Sequence, residues 1–171
     1  MTKTPALRLL GIALVAGLGG HVLALAFASR GEPVPVAGLM AGVVFVILAG
    51  IILVLGLRVK KYLDESRERA KNHPLTPRKH HIDMVVAYRI VLAARAAAYT
   101  GAIGAGFYAG MCAYLATSGG GTLSGAILPL GFDALSALVL AVVGLVVERW
   151  GTLPPNDGGS AGRAEEGARS V

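Results

Sequence analysis

Long stretches of this chain carry no charge. No Asp, Glu, Lys or Arg occurs from Val36 to Leu57 or from Ala96 to Phe132, and about 20 apolar residues are enough for a helix to cross roughly 30 Å of hydrocarbon. Charged residues make up only 15% of the 171 residues and hydrophobic ones 54%, with a mean hydropathy of +0.65. That balance excludes an ordinary soluble domain. Cysteine is almost missing too. Cys112 stands alone, which excludes an intrachain disulfide and a thiolate cluster, and its place in an apolar run reads as a small buried hydrophobe.

Catalytic motifs are equally scarce. The sequence holds no HExxH, no Ser-His-Asp order and no paired cytosolic carboxylates with a pocket. The glycine run Gly119 to Gly121 lacks the Lys-Ser/Thr of a phosphate loop. His73, His80, His81 and Asp83 invite a metal reading, but adjacent histidines on a helix point about 100° apart and no second ligand set accompanies them. A solvated basic face against lipid phosphates is the preferred reading of that segment. No metal or cofactor site is expected, and the protein is read as a non-enzyme.

What remains is four apolar runs. They define an all-α fold, an integral membrane four-helix bundle with spans at about 9–28, 36–57, 91–116 and 124–147. Pro33 and Pro35 break the first connection, and Gly119 to Gly121 the third. The formal net charge of +6 would point to nucleic acid in a soluble protein. Here the basic residues flank spans, so they read as orientation signals and anionic-lipid contacts, with no nucleic-acid partner. Lys3 and Arg8 precede the first span and nine Lys and Arg residues crowd the 58–90 loop, whereas the other two loops hold only Arg30. The positive-inside rule then places both termini and the basic loop in the cytoplasm of a bacterial plasma membrane. A cleaved signal peptide is an alternative for the N-terminus, with Ala26-Phe27-Ala28 as its site; the remaining orientation is the same either way.

The 58–90 loop is more than a tether. Lys60 and Asp64, Lys61 and Glu65, and Glu65 and Arg69 are each four apart, a spacing that supports a solvated helix continuing out of the second span. The turn falls at Asn72 to Thr76. Thr76 and Pro77 form a good N-cap and first helical residue, so a second arm runs from there into the third span. The two arms make a cytosolic helical hairpin. Beyond Trp150, an aromatic anchor at the interface, residues 151–171 are rich in Gly, Pro, Glu and Arg and read as a disordered tail.

Within the spans, His21 and Asp133 are the polar groups hardest to leave in hydrocarbon without a partner. Their depths and that of Tyr108 match when counted from the outer ends of their helices, and small residues share the stripes of His21 and Asp133. The three are expected to meet inside the bundle, either as a hydrogen-bond cluster that fixes helix register or as a proton- or ligand-linked site. Packing is expected to concentrate on the third span. Ala97, Gly101, Ala105, Ala109 and Ala113 recur every fourth residue, and Gly106 and Gly110 form a GxxxG pair. Lys60, Lys61, Arg78, Lys79 and Arg89 are candidate contacts for anionic lipid or a partner, and Arg95 is read as an anchor snorkelling to the headgroups.

Three segments carry a family resemblance: IDMVVAYRIVLAARAAAYTGAIGAGFYAG (Ile82 to Gly110), VLGLRVKKYL (Val54 to Leu63) and GLVVERWGTLPPNDG (Gly144 to Gly158). They resemble an uncharacterised actinobacterial family of small four-span membrane proteins, a domain of unknown function whose genes tend to lie near those for folate synthesis. The resemblance implies a lineage and a topology, not a mechanism. Three function classes follow from the residues: a non-enzymatic accessory or scaffold protein whose basic hairpin engages lipid or a partner, a transporter or transporter subunit built on His21, Tyr108 and Asp133, and a membrane enzyme. The missing motifs disfavour the third. Four spans are few for a lone transporter, so the second requires a homodimer or a larger partner.

Overall fold

A computed structural model describes residues 6–36, 38–72, 84–118 and 123–151. The chain runs α1 (Ala6–Ser29), α2 (Met40–Asn72), α3 (Met84–Ser118), a π-helical turn (Leu123–Ile127) and α4 (Leu128–Gly151). Each of the four α-helices contains a stretch long and apolar enough to cross a membrane. The protein is a multi-pass membrane protein, because only a helix or a closed barrel satisfies its own backbone in hydrocarbon.

The first connection is tightly made. Gly31 takes a positive φ of 70°, and its N–H and that of Glu32 donate to the carbonyls of Ala28 and Phe27 at 3.0 and 3.1 Å. This pattern closes a helix C-terminus by satisfying carbonyls the helix leaves open. Gly38, with φ of 65°, holds the next left-handed position. α2 therefore starts at Met40, four residues later than the charge-free run beginning at Val36 suggests: Pro33, Pro35 and the left-handed glycine keep the backbone out of helix although the side chains are apolar.

α2 continues well past its apolar part. Its candidate span ends at Lys61, whereas the helix reaches Asn72 and has 33 residues, about 50 Å against a hydrocarbon core of roughly 30 Å. Asn72, where the expected turn opens, is the last described residue of α2; the rest of the expected hairpin turn, with His73, Thr76, Pro77, Arg78, Lys79, His80, His81 and Asp83, lies outside the described residues, as do Lys3, Gly119 to Gly121 and the 152–171 tail.

The helices do not form a closed square. α3 packs against α1 on one side and α4 on the other; α2 packs on α4 and touches α3; the backbone of α1 approaches neither α2 nor α4 closely, although Ala24 of α1 and Leu130 of α4 share one buried cluster. Small residues set this order. A Cβ on Gly101 would meet the Ala141 nitrogen and Ala137 carbonyl of α4 at 2.5 and 2.6 Å, and one on Gly144 would meet Ala94 and Ala98 of α3 at 2.6 Å. On α3's other side, Gly106 and Gly110 lie against the carbonyls of Ala13 and Gly17 of α1. Ala105 lines a cleft between these two contacts. Without a hydrophobic drive between helices in lipid, backbone approach at small residues is what selects the partner. Large side chains face outward instead: Leu14, Val15 and Val22 on α1, and Val44, Ile47, Ile51 and Val54 on α2, are exposed, as a helix apolar all round in a membrane allows.

Candidate functional site

Asp133 is fully buried on the second turn of α4. Its Oδ1 accepts a hydrogen bond from the backbone N–H of Gly42 on α2 at 2.7 Å. The bond answers a local need. Leu39 occupies the N-cap position of α2, its carbonyl accepting from Val43 N at 3.1 Å, but leucine has no side-chain acceptor for the first N–H groups of the helix. The carboxylate supplied from α4 takes that place and lies at the positive end of the α2 dipole. Gly42 makes the approach feasible, since a Cβ there would lie 2.7 Å from Asp133 Oδ1 and run into the Phe132 ring.

Tyr108 of α3 packs against the beginning of α2. Its ring stands edge-on to Phe45, one turn along α2 from Gly42, with centroids 6.3 Å apart, and to Phe107 at 5.7 Å. α2 and α4 therefore meet at the buried carboxylate, and Tyr108 of α3 packs one turn farther along α2. Oδ2 of Asp133 has no hydrogen-bond partner among the described residues.

His21 belongs to a different surface. Its ring packs edge-to-face on Tyr114 of α3 at 5.4 Å and 82°, and among the described residues it is hydrogen-bonded neither to Asp133 nor to Tyr108. Matched depth does not ensure matched direction. α3 holds α1 through Gly106 and Gly110, away from α4, while successive α4 residues turn by about 100°. Asp133 faces α2, and its neighbour Ala134 faces the cleft that His21 lines. That cleft, about 840 Å³, runs between α1 and α4, with Ala105, Gly106, Ala109 and Gly110 of α3 as its floor.

A second buried carboxylate, Glu148, sits toward the other end of the bundle. Arg95 Nε approaches its Oε1 at 4.0 Å, with the Arg95 side chain about one-third exposed. Arg95 thus tethers α3 to α4 as well as reaching the surface. Nearby, Lys60 Nζ stands 4.9 Å above the Trp150 ring, joining α2 to α4, a cation–π contact. Lys61 and Arg89 are exposed. Gly42 and Glu148 are the participants that sequence reasoning missed. For Glu148 a signal existed, an acid at the charged end of the fourth span opposite Arg95; for Gly42 none did.

Cys112 donates to the carbonyl of Ile127 at 3.8 Å, tying α3 to the π-helical turn. Among the described residues no group of His, Cys, Asp and Glu is placed to hold a metal ion.

A family model described as protein of unknown function (DUF3180) matches residues 9–155. The chain belongs to the DUF3180 family. The matched residues take in all four apolar helices, the Asp133 cap, the Arg95 tether and the cleft. No curated protein and no solved structure matches the chain.

Proposed function

We propose that this DUF3180 protein is a non-enzymatic accessory or scaffold protein of a bacterial plasma membrane, with both termini cytoplasmic and a basic cytosolic helical hairpin that contacts anionic lipid or a partner protein. The observation that carries the reading is the unbroken continuation of α2 from Lys61 to Asn72, about 16 Å of helix beyond the apolar span. Lys60 anchors its base on Trp150. The resembling segments add an actinobacterial lineage with genes beside those for folate synthesis.

The test is binding to vesicles of graded anionic content by the full chain in nanodiscs and by its Lys60, Lys61, Arg78 and Lys79 neutralised variant. Loss of about 1 kcal/mol per charge is expected near an anionic surface. Equal binding by both proteins defeats the lipid-contact role.

The second reading is a transporter subunit, favoured by the full burial of Asp133 in an apolar helix, since intramembrane acids often mark ion pathways. It requires Asp133→Asn to abolish proton-coupled flux in proteoliposomes while the folded fraction stays unchanged.

A further inference from the structure

The cleft between α1 and α4 has the properties of a binding site for a lipid that carries its polar group inside the hydrocarbon. It exists because both helices lay their backbones on α3 and not closely on each other. Its walls are leucines, Leu14 and Leu18 on one side and Leu135 and Leu138 on the other. In a membrane such a space fills with hydrocarbon chain.

Its polar feature is His21. The imidazole lines the cleft, packs on Tyr114 through its ring, and has no hydrogen-bond partner among the described residues. A neutral imidazole carries one donor and one acceptor, and leaving them unmet in hydrocarbon is costly. A ligand oxygen at this point removes that cost.

We propose that the cleft binds a single apolar chain ending in an uncharged oxygen, of the isoprenoid quinone or prenyl alcohol type, with that oxygen hydrogen-bonded to His21. The head is uncharged because no Lys or Arg lines the cleft to balance a phosphate. It is not a phospholipid ester, because His21 lies about 12 Å below the Ser29 end of α1, deeper than the headgroup region. The tail is a single chain along the groove from His21 to Leu10, about 16 Å. A second transmembrane helix fits less well. The glycines that permit close helix approach, Gly106 and Gly110, already hold α1.

The test uses the purified full chain in mild detergent, with thermal stability followed against a benzoquinone bearing a prenyl tail, farnesol, and phosphatidylglycerol. Saturable stabilisation by the quinone alone identifies a carbonyl ligand, and by farnesol alone a hydroxyl ligand; either supports the site. His21→Leu is expected to weaken that binding about fivefold to tenfold, the loss of one hydrogen bond. Ala109→Leu, on the exposed floor, is expected to abolish it by filling the groove without disturbing a packed contact. A benzophenone side chain in place of Leu135 is expected to capture lipid-sized adducts in cells. No saturable response to either probe, equal stabilisation by phosphatidylglycerol, unchanged affinity in His21→Leu, or protein-sized adducts at Leu135 overturns the proposal.

Discussion

Asp133 caps a helix to which it does not belong: its Oδ1 accepts the Gly42 N–H of α2 at 2.7 Å, from within α4. The bond joins the start of one span to the side of another and sets the register of α2 against α4. Asp133→Ala is expected to lower stability by about 1–3 kcal/mol, because it strands a buried backbone donor. Asp133→Asn is expected to be milder, since an amide oxygen still accepts from Gly42 without a charge to desolvate. Thermal unfolding in detergent distinguishes them, and equal losses would remove the capping role.

Glycines in the spans are expected to respond with opposite signs. Gly101→Ala pushes a Cβ onto the α4 backbone and should cost about 1–3 kcal/mol, as overpacking does. Gly50→Ala meets nothing within 4 Å and should be neutral or gain up to about 1 kcal/mol from helix propensity. Paired melting curves check the difference.

Arg95 and Glu148 are expected to couple. The pair is buried on the Glu148 side and one-third exposed on the Arg95 side, so its worth falls between that of a surface pair and a buried one, about 1–2 kcal/mol. A double-mutant cycle of Arg95→Ala and Glu148→Gln measures it. A coupling energy near zero would remove the tether.

Cysteine labelling in a Cys112→Ala background gives the topology. Probes at Lys3, Arg78 and Val171 should be protected from a membrane-impermeant reagent in intact cells, whereas probes at Gly31 and Gly120 should react, following the charge asymmetry of the loops. Labelling at Arg78 from outside would invert the proposed orientation.

Much of the local structure was legible. The expected stop near Pro33 and Pro35 appears as the Gly31 cap and the left-handed Gly38 before Met40, missed by only four residues because apolar character says nothing about φ. The α3 glycines were legible as packing residues, but not which helix each would hold. The expectation that His21, Tyr108 and Asp133 meet depended on depth, whereas the structure bonds Asp133 to Gly42 of α2, stands Tyr108 edge-on to Phe45 and turns His21 to Tyr114.

The sequence by itself determined four helices long and apolar enough to cross a membrane, because that capacity depends on length, apolarity and backbone bonds made within each segment. Direction around each helix axis was decided only by tertiary structure. It follows from where backbones approach: Gly106 and Gly110 take α1 to one face of α3, Gly101 takes α4 to another, and Gly42 admits the Asp133 carboxylate to the end of α2. Those contacts depend on complementary gaps in two helices at once, and no single segment contains that information.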